Sequence, residues 1–192
     1  MAATSVSSSR ARTTSRTINR VTGAGAYVGL ATLAAVQAWE WLFSGLAKLQ
    51  NDAFVRGFTG FVSHTPGAYG RILRSVVMGG PALVPRVVEG TELTLGIALA
   101  LSAAAVLLPF ARARIVGIYV AGFASLVGAT VAINIAITVG DKAPWRISSA
   151  PFSTGIPVEA LLAGVSIAGL AQAYSAYRVN AAAKSPRPPR AV

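Results

Sequence analysis

The chain has 192 residues, of which 54% are hydrophobic and only 12% are charged, and its formal net charge is +11. That composition is too apolar for an ordinary soluble domain, and most of the apolar residues are gathered in four long runs, so it predicts one integral membrane domain. Cysteine is missing from the sequence, which excludes disulfides, thiolate catalysis and cysteine-ligated iron–sulfur or zinc sites. Lys and Arg lie in the tails and connections, as lipid headgroup contacts and topology signals do, so we expect a lipid bilayer and no nucleic acid as partner.

The two ends of the chain differ in composition from the middle. Residues 1–22 are rich in Ser, Thr and Arg without an acidic residue, and residues 181–192 are rich in Pro and Arg. Neither stretch can bury enough apolar surface to fold alone, so we predict two disordered tails around a transmembrane domain at 23–180. A mitochondrial transit peptide is the alternative for the first tail; a cleaved signal peptide is disfavoured because the following apolar run is too long.

The first apolar run, Ala26–Leu49, is long enough to cross a hydrocarbon layer about 30 Å thick as a helix. Polar side chains recur at helical spacing in its second half, which predicts one polar stripe on an otherwise apolar helix. The stripe consists of Gln37, Glu40, Ser44 and Lys48. Trp39 and Trp41 are expected to form an interfacial aromatic belt.

Two short amphipathic helices are predicted between the first and second runs. Asn51 or Asp52 can cap the first of them, and the break at Gly79–Pro81 ends the second. The apolar faces are expected to carry Phe54, Phe58, Phe61 and Val62 in the first helix and Ile72, Leu73, Val76 and Val77 in the second. Such a segment would lie in the membrane interface and could act as a lid.

The second span is predicted from Val87 to Leu108, and it opens with Glu89 and Glu92. Small residues follow the two carboxylates on what should be the same face, at Gly96, Ala100 and Ala103. Small residues allow close helix contact, which would turn both carboxylates toward the interior of a bundle.

The third span, Ile115–Val139, follows a basic turn at Pro109–Arg114 and carries Asn134 near its end. The fourth span, Pro157–Tyr177, begins with a carboxylate and continues with small residues on one face. Those residues are Glu159, Ala163, Ser166 and Ala173. The fold class predicted is therefore all-α, an integral membrane four-helix bundle.

The distribution of Lys and Arg predicts the orientation of this bundle. With four spans, ten of the 17 basic residues fall on the side of the two tails, and the other seven lie mostly in one long loop, which counts less. The ten are Arg10, Arg12, Arg16, Arg20, Arg112, Arg114, Arg178, Lys184, Arg187 and Arg190. We expect the chain in a bacterial plasma membrane with both termini on the cytoplasmic side. A mitochondrial membrane is the alternative location.

Under that topology every span brings a polar or acidic residue to the outer end of the bundle. Burial and neighbouring like charges favour the protonated form of a carboxyl group, so such a layer could bind a ligand or exchange protons. The residues expected to be catalytic are Glu40, Glu89 and Glu92, and those expected to bind a cofactor are Lys48, Arg86, Asn134 and Glu159. The alternative is that the carboxylates form structural ion pairs. No recognised spacing of metal ligands occurs, so the sequence indicates neither a metal nor a haem.

Two segments carry a resemblance to a known family. The end of the first run, WLFSGLAKL from Trp41 to Leu49, and the start of the second, VEGTELTLGIALAL from Val88 to Leu101, resemble the DoxX-like membrane proteins. That group includes the DoxD subunit of thiosulfate:quinone oxidoreductase, and the likeness extends over about Ala26–Tyr177.

The resemblance implies a four-helix membrane protein that works as a subunit of a quinone-linked oxidoreductase, with thiosulfate as one electron donor. Quinone would then be the cofactor, and a redox partner subunit or a second copy of the chain would be the protein partner. The alternative is a non-catalytic membrane anchor or scaffold that docks a partner, with the carboxylates serving only to hold helices together.

Overall fold

The computed structural model describes residues 4–65, 67–139 and 158–184, and within these ranges all regular structure is helical. The all-α prediction is therefore confirmed. The six helices are α1 (Thr4–Leu49), α2 (Asp52–Ser63), α3 (Gly67–Gly79), α4 (Leu83–Leu107), α5 (Ala111–Val139) and α6 (Val158–Lys184).

The four long helices pack in a ring in which α1 contacts α4 and α6, and α5 contacts the same two helices. Neighbours run antiparallel: Leu42 and Gly45 of α1 face Gly96 and Leu93 of α4, and Gly122 and Gly128 of α5 face Ala173 and Ser166 of α6. We call the end of the ring where α1 ends and α4 begins the loop end, because α2 and α3 lie there. The opposite end, where α4 passes into α5, is the turn end.

Glycines set the separation of α1 and α4. A Cβ added to Gly96 would lie 2.8 Å from the backbone nitrogen of Leu42, and one added to Gly45 would lie 3.1 Å from the backbone nitrogen of Leu93. Two helices can approach this closely only where one of them presents no side chain. The predicted stripe of small residues on α4 is confirmed at Gly96 and Ala103, which are buried, and is wrong at Ala100, which is exposed.

Buried apolar side chains form two clusters along the ring. The one near the turn end contains Leu30, Val106 and Ile118 among alanines, and the one farther toward the loop end contains Trp41, Leu95 and Leu99. Polar side chains from all four long helices are also buried. Those side chains are Gln37, Glu89, Glu92, Ser102, Ser125, Ser166 and Asn180.

The outer surface of the ring is strongly apolar. Large side chains that are at least half exposed occur on each of the four long helices, for example Phe43, Leu101, Phe123 and Ile167. Among the described residues, two helical stretches, Leu83–Leu107 and Ala111–Ile137, are long and apolar enough to cross a membrane.

Several boundaries differ from the predicted ones. The backbone of Thr4–Thr22, predicted to be disordered, belongs to α1; the stretch contains neither Gly nor Pro to end the helix. Arg112 and Arg114 lie in the first turn of α5 instead of in a turn before it. The two amphipathic helices and the break at Gly80 are found as predicted, and Asn51 caps α2 by accepting a 3.0 Å hydrogen bond from the Ala53 backbone N–H.

Candidate functional site

The Glu92 carboxylate is fully buried in α4 and forms an ion pair with Lys48 of α1. The Lys48 ammonium also donates to the Ser44 hydroxyl at 2.9 Å and lies 5.7 Å from the centre of the Phe54 ring. A buried carboxylate is tolerated when a cation and further hydrogen bonds compensate for lost hydration. Lys48 lies in the last turn of α1, one helical turn after Ser44, so the end of this helix supplies the cation to Glu92.

The second carboxylate of α4, Glu89, is only 2% exposed and also has a cationic neighbour. Arg86, one turn earlier on the same helix, donates from a guanidinium nitrogen to Glu89 Oε2 at 2.8 Å. The Arg86 side chain is half exposed, so this pair connects the interior of the ring with its loop end. Residues three apart on a helix lie on the same face, so their side chains can form such an ion pair.

Each buried carboxylate uses one oxygen in its ion pair and leaves the other without a hydrogen-bonding partner among the described residues. These oxygens are Oε1 of Glu89 and Oε2 of Glu92. An unsatisfied buried acceptor costs free energy, so a donor from outside the described residues would be bound favourably at either oxygen. Both carboxylates can therefore accept a hydrogen bond or a proton from a ligand.

A second polar group lies deeper in the ring, and we call it the mid-bundle cluster: Gln37, Trp41, Ser125 and Ser166. All four side chains are at most 1% exposed. Gln37 Nε2 donates to Ser125 Oγ at 3.2 Å and to the Leu33 carbonyl at 3.3 Å. The cluster joins α1, α5 and α6 at the depth of Ser125, the central residue of α5.

The loop end is closed partly by α3. Its Tyr69 hydroxyl donates to the Asn134 side-chain oxygen, and the Asn134 amide donates to the Thr130 carbonyl at 2.7 Å. Arg74 of α3 donates to the carbonyls of Ser63 and Thr65 at 3.1 and 2.9 Å. Asn134, expected to bind a cofactor, therefore holds α3 against the end of α5.

The remaining predicted site residues have different outcomes. Lys48 lies beside Glu92, and Arg86 beside Glu89, as the prediction of one polar layer requires. Glu40 is half-buried and takes part in neither of the ion pairs between described residues. Glu159 lies in the first turn of α6, and its side chain is outside the described part of the chain.

Trp39 and Trp41 do not form a common belt. Trp39 is 65% exposed and stacks on Phe43 with ring centres 4.2 Å apart, as expected at an apolar surface. Trp41 is 1% exposed because it lies on the side of α1 that faces α5 and α6. The belt prediction is therefore wrong for Trp41.

Ser125 was missed by the sequence analysis. A signal for it exists in the small residues that precede and follow it at helical spacing, Gly122 and Gly128, which mark the face of α5 turned to α6. Within the described ranges, no group of three or more His, Cys, Asp or Glu side chains is placed to hold a metal ion.

Comparison of the chain with protein-family models, with curated proteins and with solved structures gave no match. A functional assignment must therefore come from the residues themselves. The geometry available for it consists of two buried, half-satisfied carboxylates with cationic neighbours, and a deeper neutral polar cluster.

Proposed function

We propose that the ring of long helices is a membrane-embedded four-helix bundle, as in the DoxX-like proteins that the sequence resembles. The apolar outer surface supports this, since exposed side chains such as Leu101 and Phe123 would be costly in water. Exposed Ile72, Val76 and Met78 on α3 fit a helix lying in the membrane interface. The proposed location is a bacterial plasma membrane with both termini inside.

We further propose that the bundle is the membrane subunit of a quinone-linked oxidoreductase, with thiosulfate as one donor. The observation that carries this proposal is the state of Glu89 and Glu92. Each is buried, each has a cation on one oxygen, and each leaves the other oxygen available to a hydrogen-bond donor. A quinol hydroxyl is a donor of the right kind, so the residues fit the head group of a quinol.

In this proposal a bound quinone would supply the two-electron acceptor for the sulfur donor, and the chain would hold its head group and provide the two protons that quinol formation needs. Glu92 Oε2 and Glu89 Oε1 would each hold a hydrogen bond to the head group and exchange one proton with it. Lys48 and Arg86 would keep the two carboxyl groups in place through their ion pairs. Glu40, Asn134 and Glu159 remain proposed members of the layer, with Asn134 acting through α3.

The test is quinone reduction by protein purified from membranes with any co-purified subunit retained. Decyl-quinone is supplied as acceptor, and thiosulfate and sulfite as donors. Glu89→Gln and Glu92→Gln keep the side-chain size and remove the exchangeable proton, so turnover should fall about a hundredfold or more in at least one of them. Thr94→Val, on the exposed face of the same helix, is the matched control and should keep full turnover.

A second candidate is a non-catalytic anchor or scaffold. The ion pair between Lys48 and Glu92 favours it, because the pair connects α1 to α4 whether or not a ligand is present. If the native assembly shows no turnover with either donor, and no quinone is extracted from it, the scaffold replaces the oxidoreductase.

A further inference from the structure

The mid-bundle cluster contains three buried polar atoms without a hydrogen-bonding partner among the described residues. They are Gln37 Oε1, Trp41 Nε1 and Ser166 Oγ. The indole N–H can only donate, the amide oxygen can only accept, and the hydroxyl can do both. Three such atoms in one place would be unfavourable unless something binds them, because a buried polar atom without a hydrogen bond has lost its hydration without compensation.

The three atoms lie within one helical turn of one another. Trp41 and Ser166 both face Gly128: a Cβ on that glycine would lie 3.1 Å from Trp41 Nε1 and 3.4 Å from Ser166 Oγ. Gln37 lies one turn from Trp41 on α1, against Gly169, which is one turn from Ser166 on α6. A donor and a hydroxyl therefore face Gly128, and the Gln37 amide that carries the acceptor lies one helical turn away.

The size of that space restricts the ligand. A Cβ on Gly169 would lie only 2.5 Å from Gln37 Nε2 and 2.7 Å from Ser125 Oγ, so the neighbouring turn is already filled. The close contacts at Gly128 and Gly169 exclude a ring such as a quinone head, so a ligand of the three polar atoms must be as small as a single oxygen atom. Buried waters in proteins typically make about three hydrogen bonds to otherwise unsatisfied groups, which is the number of atoms found here.

We propose that Trp41, Ser166 and Gln37 form a water-binding site at Gly128, in the middle of the bundle. The water accepts a hydrogen bond from the Trp41 indole and donates to Gln37 Oε1, while Ser166 takes the remaining position. Leu30, Val106 and Ile118 fill the turns between this site and the turn end. This proposal is independent of the quinone-linked activity.

The test uses the indole N–H of Trp41 as the probe. The chain has three tryptophans, so Trp39→Phe and Trp145→Phe leave one ¹⁵N-labelled indole in the full-length protein in detergent micelles. The native site should give a cross-peak between the Trp41 indole proton and water. Gly128→Ala places a methyl group against the indole nitrogen, and the cross-peak should disappear with a shift of the ¹⁵N resonance.

Gly164→Ala is the matched control, because a Cβ there meets no atom within 4 Å, and it should leave both signals unchanged. Should Gly128→Ala fail to fold, Ser166→Ala removes one of the three polar atoms without adding volume and should weaken the cross-peak. A native protein without the cross-peak, or a cross-peak that survives Gly128→Ala, overturns the proposal. An indole resonance that moves on addition of decyl-quinone would also overturn the proposal, because it would show that a ligand larger than water reaches the site.

Discussion

Lys48 is shared between a carboxylate, a hydroxyl and an aromatic ring, and its side chain remains 23% exposed. Glu92, in contrast, has no contact with solvent. The ion pair is therefore asymmetric: loss of the cation leaves a charge fully inside the protein, whereas loss of the carboxylate leaves a lysine that can reach water along its flexible stem.

Lys48→Met should lower the stability of the bundle by about 3 kcal/mol, the lower end of the range for breaking a buried pair, because Lys48 is partly exposed. Thermal unfolding in detergent measures the change. Arg86→Met removes a cation that is half exposed and should cost less. The double variant Lys48→Met, Glu92→Leu should regain most of the lost stability, since an apolar pair can replace a buried ion pair. A double variant that stays as unstable as Lys48→Met would show that the pair is not what holds α1 against α4.

For single residues, the sequence predicts which side chains face the interior of the ring better than it predicts which of them form ion pairs. The inward position of Gln37, Glu89 and Glu92 follows from helical spacing and from the cost of placing polar groups in lipid. The pairing of Lys48 with Glu92 does not follow, because no carboxylate lies three or four residues from Lys48 on α1 and the sequence alone does not show which carboxylate of another helix faces it. The choice depends on the register of α1 against α4, which Gly45 and Gly96 determine.

At the scale of elements, contact between α1 and α4 depends on Gly96. Gly96→Ala would bring a Cβ to 2.8 Å from the Leu42 backbone nitrogen, which a side-chain rotation cannot relieve. We expect a loss of about 1–3 kcal/mol from overpacking, measured by thermal unfolding in detergent. Gly90→Ala is the control on the same helix: its Cβ would meet no atom within 4 Å, and alanine favours a helix, so stability should stay equal or rise. Equal losses in both variants would mean that helix packing is not the cause.

The attachment of α3 rests on Tyr69 and Asn134. Tyr69→Phe removes the hydroxyl that donates to Asn134 and should cost about 0.5–1.5 kcal/mol of local stability. Amide hydrogen exchange in α3 should become faster, while exchange in α5 stays unchanged. Tyr174→Phe removes an exposed hydroxyl that accepts from Arg178, and it should leave exchange in α3 as it is. Unchanged exchange in α3 after Tyr69→Phe would show that other contacts hold this helix.

At the scale of the whole molecule, the arrangement of helices was predictable and their ends were less so. Four long apolar runs leave few alternatives to a helical bundle, and breaks such as Gly79–Pro81 mark where α3 ends. The structure of Thr4–Thr22 differs from the prediction. Its low hydrophobicity predicts that it packs against no other element, but low hydrophobicity does not prevent the helix that contains Ala26 from extending through it. The turn at Leu108–Phe110 is shorter than predicted because α5 begins directly after Phe110. There, Arg114 donates to the Leu108 carbonyl at 3.0 Å.

The orientation of the bundle can be tested with single cysteines, because the natural chain contains none. If both termini are inside, the turn end faces the cytoplasm and the loop end faces outward. Ser63, at the end of α2, and Ala111, at the start of α5, are both exposed and lie at opposite ends of the ring. In intact cells an impermeant maleimide should therefore label Ser63→Cys and leave Ala111→Cys unlabelled. After the cells are lysed, both should react, which confirms that each thiol is accessible.

Labelling of Ala111→Cys alone in intact cells would invert the topology and place Glu89 and Glu92 on the cytoplasmic side. A quinone-linked site there would take its protons from the cytoplasm, so the same experiment also decides which compartment supplies the two protons that quinone reduction consumes.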